Sequence, residues 1–319
     1  MHRRTSTIRN ICAALLLATG ASGAAAQDYP SEPITVVVGF GAGGMTDTSS
    51  RILAEELGKK LGVRIVVENR PGVGGLLALE EVQRRPADGY TFVTHLSDSP
   101  FTAAYQNKPL DPAQWTMLGG YMPQERVLFG RADNPFHTLD EMVAHAKDNV
   151  VTFADGGAFW SARVMEAFGK QNGLQMRLVP FKSGAEGSAA ILGGHVMLAE
   201  TGVGTPAWSS AKEDGLEILA TLSPGGLADF GLDKVPTFKS AGADYVVDIQ
   251  YGFAIRAETP PERIEILTKA LHEVVEDPAV KERFKKIDLI LKWTPPDEYA
   301  AKMKNVAESA AGLKAFLEK

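Results

Sequence analysis

Ile34 to Phe40 (ITVVVGF) is apolar and β-branched without polar alternation, the pattern of a strand buried on both faces. From Thr46 the period changes. Ile52, Leu53, Leu57 and Leu61 recur at helical spacing, with Thr46 and Asp47 as candidate N-caps in front and Gly62 behind. Arg64 to Glu68 (RIVVE) is extended again, so residues 34–68 read as a β-α-β unit. The glycine-rich turn Asn69 to Gly75 leads into a helix over Leu76–Arg84, and Asp88-Gly89 turns into a strand over Tyr90–Thr94. The same order returns downstream: strand 151–154, loop 155–159, helix 161–168, strand 178–181, loop 182–187, helix 189–192 and an extended segment 196–198. No segment repeats at a fixed period. Strands and helices alternating at this density predict an α/β chain with parallel sheets flanked by helices. Thr138 with Glu141, and Thr259 with Glu262, have the form of capping boxes, and Thr294-Pro295-Pro296 opens the last helix.

The N-terminus belongs to a different pattern. Arg3, Arg4 and Arg9 precede the apolar run Ile11–Gly20, which is too short to span a bilayer, and Ala24 to Ala26 precede Gln27. This describes a secretory signal peptide over residues 1–26, cleaved near Ala26. Cleavage removes three Arg and no acid, taking the net charge from −6 to −9, and it removes Cys12, the single cysteine. The exported chain is therefore expected to be acidic and free of disulfides. Its acidity opposes nucleic-acid binding, and a mean hydropathy of −0.07 excludes a polytopic membrane protein. The 319 residues are about twice the usual domain size and predict two domains.

Candidate chemistry concentrates in the loops. Gly39-Phe40-Gly41-Ala42-Gly43-Gly44 is a literal G-x-G-x-x-G between a strand and a helix, with Glu68 at the end of the next strand. One reading is a dinucleotide site with Glu68 on a ribose, which would make the chain an exported NAD(P)-dependent oxidoreductase. Another is anion capture by backbone N–H groups at a helix N-terminus. A third is a tight turn with no ligand. His95, Ser97, Asp98 and Ser99 crowd into one loop, where they cannot form a catalytic triad, but Ser97 or His95 can hydrogen-bond a ligand. No G-x-S-x-G elbow occurs. His137 and His145 with Asp140 and Glu141 lack metal-ligand spacing, so no metal site is expected.

Several blocks then occur in one order: Tyr29 to Ile34 (YPSEPI), Gly41 to Asp47 (GAGGMTD), Val67 to Gly75 (VENRPGVGG) and Ala87 to Thr91 (ADGYT). Val179 to Gly184 (VPFKSG), Leu192 to Val196 (LGGHV), Thr259-Pro260-Pro261 and Asp277 to Val280 (DPAV) follow. The chain from residue 29 onward resembles the solute-binding proteins of tripartite tricarboxylate transporters, the Bug family. The resemblance implies an α/β fold of two-domain, flytrap periplasmic-binding-protein architecture, each domain a mostly parallel sheet flanked by helices. It implies a first domain of residues 27–122 and 251–319 and a second of 123–250. It further implies a monomeric periplasmic receptor, without cofactor or catalysis, that takes a small organic carboxylate to the membrane subunits of such a transporter.

By the same resemblance the ligand would be held by Ala42, Gly43, Gly44, Met45, Thr46 and Asp47 and by Lys182, Ser183, Gly184 and Ala185. His95, Ser97, Gly157, Ala158, Phe159, Trp160, Glu200 and Thr201 would complete the cleft. Three departures bear on the ligand. Phe181 stands where the family usually has Tyr. Phe159 and Trp160 are adjacent aromatics that either stack on an aromatic acid or pack in the core. Glu200 would repel simple di- and tricarboxylates unless it points away or meets an ammonium group.

Overall fold

The computed structural model describes residues 29–108, 110–155, 159–181, 184–205, 208–209, 213, 215–245 and 248–319. Glu32–Lys319 forms one unit. β1 (Ile34–Val38) lies between β2 (Ile65–Asn69) and β3 (Thr91–Leu96), parallel to both. Its near-complete burial explains the unbroken apolar run. α1 (Met45–Leu61) and α2 (Leu76–Gln83) make the crossovers, and the short α3 (Ser99–Tyr105) follows β3. β10 (Gln250–Arg256) returns from late in the chain, antiparallel to both β3 and β4 (Trp115–Pro123), to give the order β2-β1-β3-β10-β4.

The second sheet repeats this plan with different residues. β6 (Val151–Asp155) lies between β7 (Met176–Pro180) and β8 (Leu198–Gly202), and β5 (Arg126–Gly130) joins β8 to β9 (Glu217–Thr221) in the order β7-β6-β8-β5-β9. α4 (Leu139–Ala146), α5 (Phe159–Gln171) and α6 (Gly184–Leu192) accompany it. In each sheet one strand opposes the other four, β10 in the first and β5 in the second, so both sheets are mixed.

The reversed strands mark where the chain passes between the lobes. β4 ends at Pro123 and β5 begins at Arg126, while β10 begins at Gln250. Gln124 N–H donates to Ile249 O (2.9 Å) and ties the two passages together. Beyond β10 come α7 (Pro261–Glu276), α8 (Pro278–Lys285) and α9 (Pro296–Leu317). Tyr299 on α9 is fully buried, and its hydroxyl donates to His95 O of the first sheet. Further along α9, Val306, Ala310 and Leu313 join the apolar core of the second lobe, and Lys170 of α5 donates to Phe316 O and Leu317 O. One long helix thus braces both lobes.

Three cap expectations fare differently. Thr138 Oγ1 accepts from Glu141 N–H (3.2 Å), and the Glu141 carboxylate accepts from His137 N–H, a working N-terminal box. α7 begins at Pro261 with Pro260 in the capping position, so Thr259 stands one residue too early and its buried hydroxyl has no partner among the described residues. Two successive prolines, whose φ is fixed, shift the start. α1 begins at Met45 with Gly44 as its N-cap, ahead of Thr46 and Asp47.

Gly252 on β10 is a steric necessity. A Cβ there would enter the Tyr299 ring and lie 2.7 Å from Gly119 O. Gly252→Ala is expected to destabilise the protein by about 1–3 kcal/mol through overpacking. Urea unfolding reads this as a lowered midpoint, and an unchanged midpoint would show that Tyr299 can yield.

Candidate functional site

The carboxyl ends of β1 and β3 face outward at the point where the strand order reverses, the place where open α/β sheets hold ligands. After β1 comes Gly39, whose Cα must touch the second glycine loop, since a Cβ would sit 2.6 Å from Gly75 Cα. Gly41 to Gly44 are exposed, and Gly43 has φ +81°, a left-handed conformation that favours glycine. Among the described residues no side chain caps α1, whose start at Met45 follows the exposed loop directly.

The Asp47 carboxylate is engaged within the loop itself. Its Oδ2 accepts from Gly43 N–H (2.9 Å) and Arg51 Nε (3.0 Å), and its Oδ1 accepts from Asn69 Nδ2 (2.8 Å). Asn69, at the end of β2, also donates to Phe40 O (3.0 Å) and accepts from Arg51 Nη2 (2.9 Å). Burial alone would raise the Asp47 pKa, but the bonds from Arg51, Gly43 and Asn69 and the charge of Arg51 hold it below its usual value. The network ties both ends of the glycine loop to strand β2.

The facing wall comes from the second lobe. Gly202 lies against the Met45 side chain, so close that a Cβ would come within 2.8 Å of its methyl. Beside it, Arg126 at the start of β5 pairs through Nε with Glu200 Oε2, and Ser161 Oγ donates to Glu200 Oε1 (2.9 Å). Both charged residues are almost fully buried. Thr201 Oγ1 lies 3.0 Å from Thr205 Oγ1. From the first lobe the buried hydroxyls of Tyr121 and Tyr251 reach the first turns of α1: Tyr121 meets Ser49 (3.4 Å) and Tyr251 meets Thr46. Burial raises the pKa of both tyrosines, to about 12 for Tyr121, so they serve as neutral hydrogen-bonding groups.

A sequence model of the tripartite tricarboxylate transporter family receptor matches residues 49–316. The chain belongs to this family. A UPF0065 protein from the gbd 5' region of Cupriavidus necator is 32% identical, the alignment spanning 96% of this chain and 93% of that one. The protein BugT of Bordetella pertussis is 28% identical over 81% of each chain. Among solved structures, the periplasmic binding protein BugD is similar with a TM-score of 0.72 and 26% identity, over 90% of this chain and 98% of that one. A TctC solute-binding protein from Polaromonas shares the fold with a TM-score of 0.75 and 24% identity, over 90% and 99%.

The receptor's other expected site residues divide sharply. His95 is 1% exposed; its Nδ1–H donates to Leu96 O (3.1 Å), its ring meets Trp115 edge-on, and burial lowers its pKa to about 4. Ser97 is fully buried, donating to Asp248 O (3.3 Å) and accepting from Gln250 N–H (2.9 Å), so it secures the returning passage. Trp160 packs in the core of the second lobe, which corrects its reading as a stacking platform. From the first turn of α5 it shares one apolar cluster with Phe153 and Leu198 of the sheet. Phe159 opens α5, and Gly184 and Ala185 open α6. Gly157, Ala158, Lys182 and Ser183 lie outside the described residues.

Glu68, the ribose ligand of the dinucleotide reading, is engaged by Arg85 (2.7 Å) and Arg70 (3.5 Å). Gly44 caps α1 from outside its first turn, so the close helix packing that a dinucleotide loop requires of its third glycine is absent. Among the described residues no three His, Cys, Asp or Glu side chains gather as metal ligands. Sequence reasoning passed over Arg126, Tyr121 and Tyr251. The available signal was a lone Arg opening the apolar run RVLFG and a lone Glu inside LAETG, two charges in strands that had to be buried.

Proposed function

We propose that this receptor captures a small organic carboxylate between its two lobes and presents the closed form to the membrane subunits of a tripartite tricarboxylate-type transporter, in the periplasm and without catalysis. The observation that carries the reading is the uncapped N-terminus of α1 at the crevice of the first sheet, with Met45 meeting Gly202 of the second lobe. Solved proteins of the same fold hold adipate in one structure and malate in another, which supports a carboxylate as the ligand class. Residues 27–122 and 251–319 would move as one body and 123–250 as the other, hinged at the two passages.

Magnitudes favour closure. A micromolar ligand requires about 8 kcal/mol, while one charge-assisted hydrogen bond contributes roughly 1.5–3 kcal/mol. Lost ligand freedom costs at least about 4 kcal/mol. One loop therefore binds weakly, and donors from the second lobe must complete the site. Ligand then favours the closed arrangement by differential affinity.

The test is a thermal-shift screen of the protein purified from the periplasm against mono-, di- and tricarboxylates, amino acids and NAD(P). A carboxylate at one hundred times its dissociation constant should stabilise by about 2.7 kcal/mol. A shift with NAD(P) alone would overturn the receptor reading.

A further inference from the structure

The two passages between the lobes flank a cavity of about 300 Å³. Glu125 of the first passage and Asp248 and Gln250 of the second line it. The second lobe adds Ser223 and Asp229, and the first lobe adds Lys292 and the start of α9. Both lobes and both passages form its walls, so rotation about the passages must reshape it. Its polar groups are unbalanced. Gln124 Oε1, Glu125 Oε2 and Gln250 Oε1 belong to residues of this wall, are buried, and have no hydrogen-bond partner among the described residues. All three are acceptors, and an ionised carboxylate oxygen is the costliest of them to leave unpaired. Ser223 bonds the Glu125 carboxylate while accepting from Arg126 N–H (3.1 Å), which leaves Oε2 unserved. The charges around the cavity do not repair this. Asp248 is paired with Lys302 of α9, Glu298 stands one turn before that lysine, Asp229 adds a further acid, and Lys292 is exposed. Arg126, next along the chain, is paired with Glu200.

We propose that Glu125 is a proton switch on the hinge: taking up a proton favours the arrangement in which Met45 meets Gly202 across the cleft, and losing it favours a more open one. This goes beyond the capture of a carboxylate and rests on the two-lobe closure of that reading. A proton on Glu125 removes an unpaired negative charge and turns one acceptor into a donor, in a wall whose other unpaired groups are acceptors. The ionised carboxylate regains water only if the passages rotate and admit it. Burial foremost, and then the charges of Asp248 and Asp229, lift the Glu125 pKa above its ordinary 4.5, against the Ser223 bond and Lys292. The sign follows. The penalty on closure is absent below about 4.5, grows as the pH rises from there through the raised value, and is constant above it. Proton and ligand then favour the same arrangement, so a fall in pH tightens ligand binding by enlarging the competent population.

The experiment is small-angle X-ray scattering of the ligand-free exported protein from pH 8 down to about pH 4 at low ionic strength, with a thermal scan at each pH to verify that the fold persists. The wild type should become more compact toward acid pH, its radius of gyration falling along a single-proton curve. Glu125→Gln, which has the shape of the protonated acid, should hold the small radius throughout. Where that variant fails to fold, Asp229→Asn and Lys292→Met read the same switch from the cavity rim. The first removes a like charge and should move the midpoint to lower pH; the second removes an opposite charge and should move it to higher pH. A merely structural Glu125 would alter the melting temperature and leave the pH profile of the radius in place. A wild-type radius that does not change with pH, a profile that persists in Glu125→Gln, or midpoints unmoved in both rim variants overturns the switch. A radius that responds to a carboxylate of the ligand screen but not to pH overturns the switch alone. A radius that responds to neither overturns the two-lobe closure with it.

Discussion

Arg126→Met is expected to lower the unfolding free energy by about 3–5 kcal/mol, more than any other single change in the cleft. The arginine is 6% exposed and its partner Glu200 only 2%, and the two sit on neighbouring strands, where Arg126 pairs with Gly202. The guanidinium supplies the positive charge that makes a buried carboxylate tolerable. Without it, Glu200 keeps the Ser161 hydroxyl but loses this counter-charge in surroundings that water does not reach. For a chain of this size such a loss should lower the melting temperature by on the order of 10 °C. The double variant Arg126→Met/Glu200→Met removes both charges and should recover most of the stability, because an apolar pair of similar volume packs where the ion pair stood. Equilibrium unfolding of the wild type, both single variants and the double variant gives the coupling energy. A single-variant loss under about 1 kcal/mol would mean that the pair is solvated in solution and contributes as a surface pair does.

Asp47→Ala should weaken ligand binding by roughly ten- to a hundredfold, although the side chain is committed to Gly43, Arg51 and Asn69. Its carboxylate holds Gly43 N–H, Arg51 and Asn69, and through Asn69 the Phe40 carbonyl, so removing it releases both ends of the glycine loop together. The N–H groups of α1 would then have to be ordered by the ligand itself, and that entropy is subtracted from affinity. Asp47→Asn keeps an acceptor for Gly43 and should lose less. The sign with pH is fixed by the direction of the shift. Because the folded protein holds Asp47 below its ordinary value of 3.8, its contribution to stability is complete above about pH 4 and is lost as the pH falls through the lowered folded value. Titration calorimetry of the two variants against wild type, with a binder from the carboxylate panel, decides the matter. Unchanged affinity in Asp47→Ala would show that the loop holds its shape without the network.

What the sequence alone determined about this protein is local. The buried run of β1, the period of α1, the Gly62 stop and the glycine loop after β1 are each set by neighbours a few positions away, and the fold contains them all. The Thr138 box formed because its partners are three and four residues distant, whereas Pro260 and Pro261 displaced the matching box at Thr259. Tertiary structure alone decided the chemistry of the cleft. Glu200 could be read as an acid near the ligand, but its counter-ion lies on another strand and its second donor on another helix. Whether Trp160 faced a ligand or a core, and whether His95 could titrate, turned on which side of a sheet or helix packing would cover. Periodicity and caps operate over a turn of helix or a pleat of strand, while burial and charge balance are summed over every element that meets at a point, so only the assembled lobes could fix them.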